Sequence, residues 1–192
     1  MKKVVLGVSG ASGALIPLRI AERLASVDGV EIHLVVSDAA KRTLLHEAGP
    51  EALPRLFRHS VRVYPVQDIG AAIASGSFPT AGMIVAPCSM RTLAAVANGL
   101  TDNLVTRAAD VHLKERRRLV LIARETPLHL GHLRNMSAVT EMGAIVMPPV
   151  PAFYHRPQTV DEIVDHIAAR AIDLLDVSAA SLAQAWQPED QR

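Results

Sequence analysis

The stretch that decides the fold spans residues 3–13 and reads KVVLGVSGASG. A valine-rich apolar run that leads directly into glycines is typical of a buried strand in a parallel sheet. Residues 14–24, which follow, have the apolar spacing of a helix. Glycines at such a turn let a phosphate approach the backbone N–H groups at the helix N-terminus. The stretch therefore predicts a parallel α/β protein that holds a nucleotide or flavin phosphate at this loop.

The glycine spacing alone is weak support for a ligand. Gly7, Gly10 and Gly13 form G-x-x-G-x-x-G, which is neither the dinucleotide pattern G-x-G-x-x-G nor the Walker pattern. Ser9 and Ser12 place hydroxyl groups among the glycines, and a hydroxyl can donate to a phosphate or cap a helix. A turn that only caps the helix, without a ligand, stays the alternative.

Composition limits the class of protein. The chain has 192 residues, 49% of them hydrophobic, and its formal net charge of +1 is too small for wrapping a nucleic acid. The N-terminal apolar run breaks at Gly7 and Ser9, and no run approaches the ~20 apolar residues of a membrane span. The single cysteine, Cys88, excludes an internal disulfide and fits a reducing cytosol. We expect one cytoplasmic domain over residues 1–192, with a polar tail over residues 178–192.

Serines follow three of the predicted strands. Strands are predicted over residues 31–36 and 81–87, and Ser37 and Ser89 stand just after them, as Ser12 stands after the first strand. Further strands are predicted over 61–64, 119–123 and 144–147, and helices over 39–47, 93–97, 101–114 and 160–175. The proline-containing stretch 48–80 is predicted to be the least regular. Because parallel strands present their carboxyl ends to ligands, these serines indicate polar contacts to a ligand, although a plain helix cap is the alternative for each.

Two cations stand on the helix predicted over residues 101–114. Arg107 and Lys114 are seven residues apart, which puts them on one face, roughly 10 Å apart along the axis. One phosphate could hardly contact both from a single chain. A basic, solvated face that continues through residues 115–118 is therefore the alternative to an anion site.

Charged and histidine side chains follow the strand predicted over residues 119–123. Arg124 and Glu125 are adjacent at the strand end, where burial would be costly unless they are paired or bound to a ligand. His129 and His132 have a spacing that could ligate zinc, but no third ligand stands beside them. We therefore expect no metal.

Taken together and in order, the motifs of this chain closely resemble those of the flavin prenyltransferases of the UbiX type, over residues 3–175. The matching segments are GASG at 10–13, Ser37 with the following Ala-Ala, ASGS at 74–77, PCS at 87–89, RAADV at 107–111, LKER at 113–116, RETP at 124–127 and FYHRPQ at 153–158. The resemblance implies a Rossmann-like or flavodoxin-like three-layer α/β/α fold with a mostly parallel sheet. It also implies a homododecamer with sites at subunit contacts, where Arg107 and Lys114 could meet one phosphate from different subunits.

The resemblance further implies a metal-independent prenyl transfer. The dimethylallyl group of dimethylallyl monophosphate is joined to N5 and C6 of reduced FMN, and the prenylated FMN serves UbiD-type decarboxylases in ubiquinone synthesis or aromatic acid breakdown. The implied FMN-binding residues are Gly10, Ala11, Ser12, Gly13, Ser37, Ser89, Met90, Arg91, Thr92 and Arg124. The implied substrate-binding residues are Arg107, Lys114, Tyr154, Arg170 and Trp186. The implied catalytic residues are Glu47, Ser12, Lys114, Arg124 and Glu125.

These residue types suit the cleavage of an allylic C–O bond. Guanidinium groups, an ammonium group and the Tyr154 hydroxyl stabilise the departing phosphate and supply no nucleophile. The face of Trp186 would shield the developing cation, although an ordinary tail residue is the alternative. Glu47, with Ser12 and the released phosphate, would relay the proton that leaves the flavin ring.

Three other functions fit the fold. FMN-dependent cysteine decarboxylases carry a histidine after the glycine loop, where this chain has Leu15, Ile16 and Pro17, and an Asn-rich turn where it has Cys88 and Ser89. A non-catalytic FMN carrier would not need a second phosphate pocket. A decarboxylase acting directly on aromatic acids would need a carboxylate site that the sequence does not indicate.

Overall fold

The chain is organised around a parallel sheet of six strands, and a computed structural model describes residues 1–186. Across the sheet the strand order is β3-β2-β1-β4-β5-β6, and every neighbouring pair is parallel. The strands are β1 (Lys2–Val8), β2 (Val30–Val36), β3 (Arg62–Tyr64), β4 (Gly82–Cys88), β5 (Arg118–Ala123) and β6 (Ile145–Val146).

Helices cover both faces of the sheet and complete three layers. Helices α1, α2, α3 and α7 share one apolar cluster with the sheet, and α4, α5 and α6 share the other. This arrangement confirms the predicted α/β/α class. None of the described helices is long and apolar enough to cross a membrane. The helices are α1 (Leu15–Ala25), α2 (Asp38–Ala48), α3 (Ala52–Arg58), α4 (Met90–Ala97), α5 (Leu104–Lys114), α6 (Leu130–Glu141) and α7 (Val160–Asp173), with short 3₁₀ turns at Ala72–Ala74 and Phe153–His155.

Strand β1 lies in the middle of the sheet because both of its faces are apolar. Val4, Leu6 and Val8 belong to the cluster that contains α1 and α7, whereas Val5 belongs to the cluster that contains α5. At Gly7, a Cβ atom would lie 3.3 Å from the Val105 side chain, so the missing side chain lets α5 approach the strand closely. The stretch that predicted the fold is thus the centre of the core.

Helix α3 is the main departure from the sequence prediction. It lies within the stretch 48–80, which was expected to be the least regular, and it contains Pro54. Proline in the first turn of a helix costs little, because the N–H that it lacks has no partner within the helix there. Ala52 and Leu56 are buried on one face of α3, and this burial stabilises the helix despite the proline.

A buried serine joins the ends of β1 and β4. The Ser9 hydroxyl donates to the Pro87 carbonyl oxygen at 2.8 Å and accepts from the Ser89 N–H at 2.8 Å. The side chain is almost fully buried, so both bonds are shielded from water. Ser9 therefore fixes the start of α4 relative to the glycine loop, instead of facing a ligand.

Replacement of this serine should destabilise the protein. Ser9→Ala leaves the Ser89 N–H without its buried acceptor, so we expect the free energy of unfolding in urea to fall by about 1–3 kcal/mol. Ser26→Ala is the matched control, because the Ser26 hydroxyl donates to the Arg23 carbonyl oxygen on the surface. An equal loss in both variants would contradict the role given to Ser9.

Candidate active site

Most of the predicted FMN-binding and catalytic residues lie at the carboxyl ends of the strands. They follow β1, β2, β4 and β5, or contact residues that do, and we call them the carboxyl-edge group. Burial raises the pKa of the neighbouring Cys88 thiol to about 12, so this edge offers no reactive thiolate. The group consists of Gly10, Ala11, Ser12, Gly13, Ser37, Glu47, Ser89, Met90, Arg91, Thr92, Arg124 and Glu125.

The Glu47 carboxylate sits on the N-terminus of α1. One of its oxygens accepts from the N–H groups of Gly13 and Ala14, each at 2.8 Å, and the Ser12 side chain lies near enough to help lower the pKa of the same carboxylate. Partial burial would raise the pKa of Glu47, but these donors and the charge of Arg124 hold the pKa below its ordinary value. Glu47 is therefore ionised at neutral pH. Its carboxylate occupies the N-terminus of α1, where the sequence predicted a phosphate.

The N-termini of α2 and α4 are two further anion-favouring positions at this edge. The Ser37 hydroxyl accepts from the Ala40 N–H at 3.1 Å, and the Ser89 hydroxyl accepts from the Thr92 N–H at 3.3 Å, so both serines are helix caps. A side chain at Gly10 would collide with Ala39 in the first turn of α2. The glycine loop and the α2 N-terminus are therefore in direct contact.

Arg124 and Glu125 extend from the end of β5 into solvent. The Arg124 N–H donates to the Cys88 carbonyl oxygen at 3.2 Å, and a Glu125 oxygen accepts from the Thr126 N–H at 3.0 Å. Both side chains are exposed, so neither needs a partner to offset burial. Arg124 is near enough to lower the pKa of Glu47, which links the ends of β1 and β5.

Lys114 lies at the other end of the strands, beside their amino ends, and we call this end of the sheet the amino edge. Lys114 is the last residue of α5, and because the helices that connect parallel strands run antiparallel to them, α5 ends beside the amino end of β5. Its ammonium group pairs with the Glu115 carboxylate, and this pairing lowers the pKa of Glu115. Along the strand direction, Lys114 is therefore separated from Glu47 by about the length of one seven-residue strand, ~20 Å.

Arg170 also lies toward the amino edge, beyond the other face of the sheet, and the tail that leads to Trp186 contacts the same helix. Arg118, the first residue of β5, donates to the Leu174 carbonyl oxygen at 2.8 Å, and Arg170 stands one turn before Leu174 in α7. The tail returns to the same helix, where the N–H groups of Leu182 and Ala183 donate to Asp173. Trp186 is 64% exposed, so its shielding role stays a prediction.

Arg107 and Tyr154 occupy separate positions again. Arg107 lies in the first turn of α5 and pairs with Asp110 at 2.9 Å. Because α5 is continuous, the sequence-based separation of roughly 10 Å from Lys114 holds. Tyr154 is exposed on the 3₁₀ turn before α7, and its ring centroid lies 4.3 Å from that of His155.

The two histidines after β5 stack on each other. The ring centroids of His129 and His132 are 3.6 Å apart, and His129 Nδ1 accepts from the Gly131 N–H as the cap of α6. Within residues 1–186, no group of three or more His, Cys, Asp or Glu side chains is arranged to hold a metal. His129 therefore caps the start of α6.

Sequence reasoning missed the surroundings of Lys114. One of the two sequence-based alternatives placed Arg117 on a solvated basic face, but Arg117 is half-buried and its guanidinium group donates to the Gly76 and Phe78 carbonyl oxygens. The ASGS motif at 74–77 was the available signal, yet a sequence motif does not show which side chain binds the turn that it forms.

Comparisons with known proteins agree with this architecture. The Flavoprotein family model matches residues 1–172. The flavin prenyltransferase UbiX of Thauera aromatica is 51% identical over 190 residues, which cover 99% of this chain and 96% of that protein.

Solved structures extend the likeness to three dimensions. The crystal structure of AnUbiX (PadA1) in complex with FMN and dimethylallyl pyrophosphate has a TM-score of 0.88 at 42% identity, covering 97% of this chain and 98% of that one. A dodecameric FMN-dependent UbiX-like decarboxylase from Escherichia coli O157:H7 has a TM-score of 0.91 at 44% identity, covering 97% and 100%.

The Glu47 contacts should make stability depend on pH. Because the pKa of Glu47 is lowered on folding, its stabilisation is complete above the ordinary value of 4.5 and is lost as the pH falls through the lower, folded value. We expect Glu47→Gln to reduce the free energy of unfolding in urea by about 0.5–1 kcal/mol at pH 7, allowing for solvent screening of this largely exposed carboxylate.

The difference between wild type and Glu47→Gln should shrink toward zero at pH 3. Glu51→Gln is the control, since Glu51 is exposed and its side chain makes no cap bond at the start of α3. A difference between wild type and Glu47→Gln that stayed constant from pH 7 to pH 3 would show that the ionised carboxylate does not cap α1.

Proposed function

Because the chain belongs to the UbiX family of flavin prenyltransferases, we propose that it joins the dimethylallyl group of dimethylallyl monophosphate to N5 and C6 of reduced FMN. The C–O bond of the substrate breaks, inorganic phosphate leaves, and a C–N bond forms as N5 releases its proton. The C–C bond then forms at the expense of the C=C bond of the dimethylallyl group, which takes up one proton while C6 of the flavin releases another. The observation that carries the proposal is the convergence of capped helix N-termini and the ionised Glu47 carboxylate on one edge of the sheet.

The carboxyl-edge group has the features needed to hold FMN. The N-termini of α2 and α4, capped by Ser37 and Ser89, favour the FMN phosphate, and Gly10 keeps the loop flat against α2. Arg124 adds a positive charge at the end of β5. When bound in its reduced form, FMN supplies the nucleophilic atoms N5 and C6, which is why the protein needs no nucleophile of its own.

The departing phosphate requires cations, and Lys114, Arg107 and Arg170 are proposed to supply them together with Arg124. Fixed positive groups stabilise the charge that develops on the leaving oxygen more than they stabilise the intact ester. Tyr154 would donate its hydroxyl to the same phosphate, and Glu125 would orient the neighbouring guanidinium group of Arg124. Trp186 would face the allyl cation.

Glu47 is proposed to accept the proton that leaves the flavin as the C–C bond forms. Its N–H donors keep it ionised at neutral pH, so it is available as a base. The hydroxyl of Ser12, which lies beside this carboxylate, would carry the proton toward the released phosphate.

We further propose a homododecamer whose sites combine several subunits. Lys114, Arg170 and Glu47 lie at separate places in one chain, with Lys114 and Glu47 ~20 Å apart, so one phosphate cannot meet all three within a subunit. The E. coli relative is described as dodecameric, which supports this assembly.

Three broader features complete the proposal. Residues 1–192 form one flavoprotein domain with residues 178–192 as its polar tail, and the protein works in the cytoplasm. Its prenylated FMN is released to a UbiD-type decarboxylase, in either ubiquinone synthesis or aromatic acid breakdown.

Anaerobic incubation with reduced FMN and dimethylallyl monophosphate tests the activity. Mass spectrometry should detect a flavin heavier by one five-carbon unit, and a parallel reaction with the pyrophosphate determines which ester is used. Lys114→Ala and Arg170→Ala should each reduce product formation by about 100-fold or more, because one cation on the leaving group is lost.

Both variants should still bind FMN, whereas Arg58→Ala, an exposed cation at the end of α3, should react like wild type. Loss of FMN binding in Lys114→Ala or Arg170→Ala would contradict the assignment of a separate phosphate pocket. A wild-type protein that binds FMN without forming the adduct would instead indicate a flavin carrier.

Complementation tests the shared site. Lys114→Ala and Arg124→Ala should each be inactive alone, but co-refolded mixed oligomers should regain activity, because some sites receive an intact Lys114 and an intact Arg124 from different subunits. Mixed oligomers, verified by two affinity tags, that stay inactive would show that one subunit supplies both residues.

A further inference from the structure

A glycine turn lies directly against the Lys114–Glu115 pair. A Cβ atom at Gly76 would overlap the Glu115 carboxylate and lie 2.6 Å from Lys114 Nζ. The backbone of Gly76 lies outside the left-handed region, so other residues could adopt its conformation. The missing side chain therefore provides space for the pair, instead of backbone freedom.

Arg117 holds this turn in place. Its guanidinium group donates to the Gly76 carbonyl oxygen at 2.6 Å, to the Phe78 carbonyl oxygen at 2.8 Å and to the Thr80 hydroxyl at 3.2 Å. The Arg117 N–H donates to the His112 carbonyl oxygen at 2.8 Å, which fixes the arginine to the end of α5. The turn and the helix that carries Lys114 are thus joined by the planar fork of one side chain.

Lysine ordinarily has a mobile ammonium group on four rotatable bonds. Here the Gly76 turn closes one side of the space around Lys114 Nζ, and the Glu115 carboxylate attracts it from another. A charged group held in one place binds an anion more tightly, because less freedom is lost when the anion arrives.

We propose that Gly76 and Arg117 are positioning residues that fix the Lys114 ammonium group for the substrate phosphate, an inference that rests on the proposed prenyl transfer. Before the substrate binds, the Glu115 carboxylate pairs with the Lys114 ammonium group, and the substrate phosphate then replaces that carboxylate. Neither Gly76 nor Arg117 needs to contact the substrate for this role.

Gly76→Ala tests the role of the turn, with Gly70→Ala as the matched control in the same loop. At Gly70 the nearest atom to a new Cβ is Asp68 Oδ1 at 3.8 Å, an ordinary contact. For Gly76→Ala we expect the Kd of dimethylallyl monophosphate, measured by calorimetry on protein loaded with oxidised FMN, to rise about tenfold, as for loss of one charge-assisted bond.

The KM for the same substrate should rise with it, while the FMN affinity and the melting temperature stay at wild-type values. Gly70→Ala should match wild type in all four measurements. Arg117→Lys, which keeps the charge but cannot bond three acceptors in one plane, should raise the same Kd and KM.

Three outcomes separate the possibilities. A wild-type Kd in Gly76→Ala and Arg117→Lys, with wild-type protein active, would overturn the positioning role. A parallel loss of FMN affinity or melting temperature in Gly76→Ala would also overturn it, because that pattern reports general damage. Arg117→Lys is judged on the substrate Kd and the FMN affinity, since loss of its hydrogen bonds lowers the melting temperature in its own right. An inactive wild-type protein would instead overturn the proposed function.

Discussion

In a parallel sheet, every connecting helix returns the chain to the opposite edge, and this constraint divides the functional residues of the protein. Glu47, Arg124 and the capped N-termini of α2 and α4 gather at the carboxyl edge, whereas Lys114 ends α5 at the amino edge. No side chain spans that distance. The proposed reaction, which uses both groups, therefore requires a second copy of the chain.

The electrostatics of each edge suit a different charge. At the carboxyl edge, α1 holds a protein carboxylate, which leaves the N-termini of α2 and α4 for a phosphate from outside. At the amino edge, the Lys114 ammonium group is balanced by Glu115 beside the Gly76 turn. A substrate phosphate that binds there would replace the Glu115 carboxylate as the negative partner of Lys114. Under the proposed mechanism, the base lies at one edge and the leaving-group cation at the other, so the two would meet only between subunits.

The sequence was sufficient for features that depend on local patterns. The buried valine run of β1 and the caps Ser37 and Ser89 follow from hydrophobic periodicity and capping chemistry, whereas the three layers were implied by the family resemblance. Tertiary contacts decided the rest. Burial on one face stabilises α3 despite Pro54. Glu47 accepts a hydrogen bond from Gly13, 34 residues earlier in the chain, and Arg117 binds the Gly76 turn instead of lying on a solvated basic face. In none of these cases do the residues adjacent in sequence indicate the tertiary partner.

Lys114 of one subunit and Glu47 of another are proposed to face the same reaction space. A crystal structure of the assembled protein with FMN and dimethylallyl monophosphate tests this proposal most directly. We expect the substrate phosphate on Lys114 of one subunit and the flavin ring edge beside Glu47 of its neighbour. Both ligands contacting residues of a single subunit, with Lys114 turned to solvent, would contradict it.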